Sequence, residues 1–371
     1  MMGLEGDMQS QGHQGPPRRP VARGASFLLL VFLFDLCFTA AHAEMTPQFQ
    51  KGITFTHGYR GGDDMRSPTT QTSLRYLRGT LGVEWIALNP FGYQHSVTST
   101  DISFRSDPPD EHLADGISQA HDLGLKVMLK PHIWLRQQGN DDWRGTIGFA
   151  TEADWAQWFA NYERFILHYA RVAAETDVEI FCIGVELSRT VTERPDEWRQ
   201  LIARIREIYP GPLTYAANWW QDYDVVSFWR ELDYIGVNAF FPVTAEGAET
   251  NLTALRVGST RIADQIEVVQ RRTGKPVLLT EIGFRSVRGS TVRPWEWPRR
   301  DDGAIDLHLQ QRAYQAVLES FWSRDWFYGL YWWKWHAAMD RGGARNNGFT
   351  PRGKPAEQVI TDWFSRPAPR P

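Results

Sequence analysis

The chain has 371 residues, with Lys and Arg at 40 against Asp and Glu at 44, a formal net charge of −4. That near-balance, without a long basic run, gives no sign of a polyanion partner, and no nucleic-acid partner is expected. Aromatic residues reach 13%, with 17 Trp, more than a core needs, because an indole rarely buries completely without a partner for its N–H.

The first 43 residues read as an export signal. Residues 1–23 are polar and carry Arg18, Arg19 and Arg23; an apolar run follows from Phe27 to Ala41, and Ala41-His42-Ala43 has the form of a cleavage site. The run, interrupted by Asp35, is short beside the roughly 20 apolar residues of a membrane span. The expected product is a domain of residues 44–371, secreted or periplasmic, with no stable membrane association after cleavage; retention as an anchor is the alternative. Cys37 would leave with the signal, so Cys182 stands alone and no intrachain disulfide forms. Asn251-Leu252-Thr253 has the pattern of a glycosylation acceptor.

From Lys51 onward, short runs rich in Val, Ile, Leu and aromatics alternate with longer amphipathic stretches. Strands are predicted at 52–56, 83–89, 126–132, 180–186, 213–218, 234–238, 277–281 and 329–334. Between them, Trp155, Trp158, Phe159, Tyr162, Phe165, Ile166 and Tyr169 recur at threes and fours, the stripe of a helix. Leu201 to Ile208 repeats the pattern before Tyr209-Pro210-Gly211 stops it, and Ile262, Ile266 and Val269 precede Thr273-Gly274-Lys275-Pro276. Leu307 to Phe321 is the last barrel helix, whereas Val225 to Glu231 leaves room only for an abbreviated one. Eight such strands close a single (β/α)8 TIM barrel, an α/β fold of roughly 250 residues or more. No linker or internal repeat divides it, and a monomer is expected.

A barrel of this kind carries its site where the strands end, and polar residues fall there regularly. Asn89 ends the second strand; Lys130 and His132 end the third, with Trp134 just beyond. Glu186 ends the fourth, Asn218 and Trp219 the fifth, Asn238 the sixth and Glu281 the seventh, while Trp333 and Trp335 end the eighth. An apolar run closing on a carboxylate is costly unless the carboxylate reaches a polar cleft. Two carboxylates across one mouth suit glycosidic cleavage, one as acid and one as nucleophile. Taken singly, a Glu in such a place is more often a salt-bridged structural residue; the pairing on the fourth and seventh strands reverses that preference. The Asn residues could equally cap loops, and the Trp residues could equally pack the core. Strand alternation sets Trp333 and Trp335 on one face and Trp332 on the other. The long stretch Arg285 to Ile305, which includes Trp295 and Trp297, could line the cleft or simply cover surface.

At these motifs the sequence resembles glycoside hydrolase family 113, within clan A of the barrel glycosidases. The matching segments are M-L-K-P-H-I-W-L at 128–135, I-G-V-E-L at 183–187, T-Y-A-A-N-W at 214–219, L-L-T-E-I-G-F-R-S at 278–286 and G-F-T-P-R-G-K-P-A at 348–356. The resemblance implies a retaining β-mannan hydrolase acting on a polysaccharide or oligosaccharide, with Glu186 as acid/base, Glu281 as nucleophile and no cofactor. Two positions depart from the clan's pattern. Val185 stands where most of its enzymes carry an Asn, and Phe240 stands where a Tyr hydroxyl would support the nucleophile. The ten His show no H-E-x-x-H spacing, and no G-x-S-x-G elbow occurs, so a metallohydrolase and an esterase are not expected. The rivals are the same chemistry on another β-linked glycan, including exo action on short oligosaccharides, and a barrel that binds carbohydrate without turning it over.

Overall fold

The computed structural model describes residues 46–56, 64–104, 108–139, 141–297 and 304–370; the expected export signal lies outside the described residues. In chain order the described strands are β1 (Gln50–Thr56), β2 (Trp85–Leu88), β3 (Phe91–Gln94), β4 (Ile102–Ser103), β5 (Lys126–Leu129), β6 (His132–Leu135), β7 (Ile180–Val185), β8 (Leu213–Asn218), β9 (Tyr234–Asn238), β10 (Val277–Ile282) and β11 (Phe327–His336). The helices are α1 (Pro68–Gly79), α2 (Asp110–Asp122), α3 (Glu152–Glu175), α4 (Ser188–Glu193), α5 (Pro195–Arg206), α6 (Leu252–Thr273), α7 (Leu307–Phe321) and α8 (Pro355–Phe364).

Strands β1, β2, β5, β7, β8, β9, β10 and β11 pair in sequence order, all parallel, and β11 returns to β1. This is the closed (β/α)8 barrel, and each of its strands overlaps a predicted run. One face of the strands supplies an interior cluster that includes Trp85, Ala87, Met128, Ile180, Cys182, Ala216, Leu278 and Tyr331. The other face packs under the helices in the main core, with Trp158, Trp198, Trp332 and Trp335 fully buried there. The Trp stripe of α3 belongs to this helix–barrel layer. The abbreviated connection between β8 and β9 is a short 3-10 turn at Trp229–Glu231.

Two prolines explain where the third predicted strand divides. Pro90 and Pro131 follow the ends of β2 and β5 by two residues, and each removes an N–H that a ladder needs. Beyond them the chain pairs anew as a three-stranded sheet in the order β4-β3-β6, with Phe91 opposite His132 and Tyr93 opposite Trp134. This second sheet stands above the barrel mouth. Strand periodicity puts His132 and Trp134 on the same face of it.

Cys182 is free and wholly buried, and burial pushes its thiol up to about 11; such a thiol is inert. No helix among the described residues is long and apolar enough to cross a membrane.

Barrel closure between β1 and β11 depends on Gly52. A Cβ there would lie 2.6 Å from the Tyr331 ring and 2.7 Å from the Leu330 carbonyl oxygen. Gly52→Ala is therefore expected to lower the free energy of unfolding by about 1–3 kcal/mol through overpacking, read from thermal or denaturant unfolding.

Candidate active site

The two carboxylates singled out in the sequence open into one cavity of about 1530 Å³ at the C-terminal end of the barrel. Their surroundings differ. Glu281, in the last turn of β10, is 4% exposed. Its Oε1 accepts a hydrogen bond from Lys130 Nζ at 2.5 Å, and the same ammonium donates to the Thr280 carbonyl oxygen at 3.2 Å. Lys130 has no exposed surface, so the ion pair is fully desolvated on the lysine side. Burial pushes the Glu281 carboxyl above its ordinary range; Lys130 opposes that push, and the neighbouring Glu186 adds to it. Phe240 brings no hydroxyl to this group. Its ring packs edge-on against Phe349, 6.2 Å between centroids, and Lys130 is the residue that holds Glu281.

Glu186 follows β7 and pairs its N–H with the Ala216 carbonyl oxygen at 2.9 Å. Its φ of 52° lies in the left-handed region, a conformation that costs a non-glycine residue about 1–3 kcal/mol and clusters at functional sites. The surrounding structure maintains it. Leu187 N–H donates to Tyr215 Oη at 2.8 Å, and Tyr215 in turn donates to Asp222 Oδ2 at 2.8 Å. Asp222 also accepts from the Asn218 N–H. Asn218 Nδ2 then donates to Glu186 Oε1 at 3.1 Å, and Arg144 Nη1 approaches Oε2 at 3.4 Å. Asp222 itself is fully buried, and burial holds its carboxyl up at about 8.

The protonation of His132 follows from its partners. Burial, with Lys130 and Arg144 nearby, holds its pKa well below the ordinary value, so the ring is neutral. Arg144 Nη1 lies 3.4 Å from Nδ1, and a guanidinium only donates. Nδ1 is therefore the acceptor and Nε2 carries the hydrogen. That Nε2–H sits 3.6 Å from Glu281 Oε1 and has no hydrogen-bond partner among the described residues. Both amide atoms of buried Asn89 are likewise without one, and both residues line the cavity. A buried donor or acceptor left unpaired costs about 1–3 kcal/mol, so each of these atoms calls for a polar partner within the cavity.

The aromatic wall is supplied by Trp134, 46% exposed, Trp219 and Trp333, all lining the cavity. Trp295 stacks on Trp219 with 5.1 Å between centroids and 26° between planes, and Trp297 stands edge-on to Trp333 at 6.3 Å. The described part of the long segment after Arg285 therefore lines the cleft.

Two expected site residues lie elsewhere. Asn238 is buried below the cavity, where its Oδ1 accepts from Thr280 Oγ1 at 3.0 Å. Trp335 faces the helices: its Nε1 donates to Ser73 Oγ of α1 at 2.8 Å, and its ring stacks on Tyr76. Alternation fails because β11 bulges. Ile53 opposes Trp332 while Phe55 opposes Trp335, so one extra residue on β11 turns Trp335 outward. Arg144 and Lys334 carry no sequence signal. Arg144 opens a single 3-10 turn after β6 (Arg144–Thr146), too short to show a period, and only its two contacts reveal its place.

A sequence profile of Glycoside Hydrolase Family 113 matches residues 53–354. The chain belongs to that family. Two structures of GH113 β-1,4-mannanase are each 31% identical over 86% of this chain and 100% of theirs, with TM-scores of 0.75 and 0.74. The GH113 β-mannanase AaManA from Alicyclobacillus acidocaldarius, solved in complex with ManMIm, is 29% identical over 86% of this chain and 97% of its own, with a TM-score of 0.74. A comparison with curated proteins returned no match. The family 113 chain is a glycoside hydrolase, and the cavity is its candidate active site.

The buried pair at the mouth has a measurable stability signature. Lys130→Met leaves the Glu281 charge buried and uncompensated, and should lower the free energy of unfolding by about 3–5 kcal/mol. Adding Glu281→Leu should restore most of it. A single-variant loss under about 1 kcal/mol, the range of an exposed pair, would contradict the ion pair.

Proposed function

We propose that the enzyme is a retaining β-mannan hydrolase, acting on β-1,4-mannan or manno-oligosaccharides by double displacement. The observation that carries this reading is the pair of carboxylates in one cavity with unequal surroundings. Glu281 is enclosed and paired with an ammonium that favours its ionised form, as a nucleophile requires. Glu186 has its side chain 13% exposed and is held by the Asn218 amide and Arg144, open to a leaving group and to water.

In the first step a Glu281 oxygen attacks the anomeric carbon while the Glu186 carboxyl delivers its proton to the departing glycosidic oxygen. The glycosyl–Glu281 ester is then hydrolysed by a water whose proton returns to Glu186. Lys130 stabilises the Glu281 carboxylate as it leaves. His132 Nε2–H and the Asn89 amide meet sugar hydroxyls beside the reacting centre, and Trp134, Trp219 and Trp333 provide flat apolar surface for sugar rings. Retention is supported by family membership, and mannan by the likeness to the 31%-identical β-1,4-mannanases. The same reading takes the enzyme as exported after loss of residues 1–43 and acting as a monomer.

Hydrolysis of a panel of β-linked polysaccharides and oligosaccharides tests this reading. Mannan or manno-oligosaccharides should be cleaved, with Glu281→Ala lowering kcat by roughly 10⁴-fold or more. Glu186→Ala should keep far more activity on nitrophenyl glycosides, whose leaving groups need little protonation, than on the natural linkage. Turnover confined to another β-glycan would overturn the substrate, and normal turnover by Glu281→Ala would overturn the nucleophile. Tight glycan binding without any turnover would favour a non-catalytic barrel.

A further inference from the structure

Lys334 follows Trp333 on β11 and lines the cavity. Its ammonium rests against two indoles, 5.0 Å from the Trp297 centroid and 5.1 Å from that of Trp333. Neither ring carries a countercharge. To the described residues Nζ makes no ion pair and no hydrogen bond. The other lysines of this region are provided for. Lys130 has Glu281, and Lys354 donates to Ser286 Oγ, Asn346 Oδ1 and the Gly348 carbonyl oxygen at 2.9–3.0 Å.

Two further basic side chains stand nearby. Arg341 and His336 line the same part of the cavity, and the His336 ring is held neutral, its pKa pushed down to about 4 by burial and by Lys334, Arg341 and Lys354. Burial likewise pulls the Lys334 ammonium down to about 8, with Arg341 adding to the pull and Glu281 opposing it. A partly desolvated cation with no ion-pair partner among the described residues carries a cost that a bound anion would remove. Trp297, 54% exposed, offers a ring-sized apolar surface directly beside it. A neutral sugar uses the surface and leaves the charge unmatched; a sugar bearing a carboxylate uses both.

We propose that Lys334, with the indole of Trp297, forms a subsite for an acidic sugar, so that the cleft accepts β-glycan chains carrying a uronic-acid residue. The inference rests on the reading of this cavity as a glycan cleft. The carboxylate of the uronosyl residue accepts from Lys334 Nζ while the sugar ring lies along Trp297.

The test is calorimetric binding of two β-1,4-linked trisaccharides, one of mannose and one of mannuronic acid, to the full chain carrying Glu186→Gln. At pH 6.5 and low salt the acidic trisaccharide should bind about tenfold more tightly, the scale of one charge-assisted hydrogen bond. The preference should shrink as salt rises. Adding Lys334→Met should abolish the preference and leave affinity for the neutral trisaccharide within about twofold, which also shows that the variant folds; Lys334→Arg should keep it. Equal affinity in the parent, or a preference that survives Lys334→Met, overturns the proposal. Wild-type turnover of the neutral trisaccharide, measured in parallel, separates the two readings. Neutral turnover without acidic preference removes only the subsite, and failure to bind or cleave either sugar removes the glycan cleft and the subsite together.

Discussion

Eight strands deliver their last residues to a mouth whose floor is apolar, and any charge placed there must be matched within the protein or by a ligand. Lys130 and Glu281 meet that constraint most severely, since neither has appreciable solvent contact and the two are 2.5 Å apart. A buried ion pair seldom adds stability over well-packed apolar residues, so its retention points to chemistry. From the pair the rest of the site follows. His132, beside both the Lys130 and Arg144 cations, stays neutral and keeps a hydrogen on Nε2 facing Glu281. Glu186, on the opposing side, is tied to Arg144 and Asn218.

The Glu186 side of the cleft depends on a different device. Glu186 adopts a left-handed backbone, and the neighbouring strand supplies what holds it there. Tyr215 and Asp222 join the Leu187 N–H, the Asn218 N–H and, through the Asn218 side chain, the Glu186 carboxyl itself. One buried aspartate thus ties the ends of β7 and β8 into a single frame. Preorganised groups of this kind need no rearrangement as charge develops.

Much of this was legible in the sequence. The eight strands were visible because parallel barrel strands are apolar on both faces and stand out from amphipathic helices. The two catalytic candidates were visible because an apolar run ending in Glu is expensive. The upper sheet was not, since strands as short as Phe91–Gln94 and Ile102–Ser103 carry little period, although Pro131 within the third run marked the break. Alternation puts Trp335 on the wrong side of β11, because it cannot register a bulge set by pairing with β1. Arg144 and Lys334 matter through what they touch or fail to touch, and no local pattern encodes that. Phe240, where the resemblance leads to a Tyr hydroxyl, is answered structurally by Lys130.

Double displacement at Glu281 is the central claim, and its stereochemical course is the most direct measurement. Proton NMR of the anomeric region during the first minutes of manno-oligosaccharide hydrolysis identifies the anomer released before mutarotation. The β-anomer should appear first, with the α-anomer growing in later by equilibration. Release of the α-anomer first would mean a single displacement by water and would contradict Glu281 as a nucleophile.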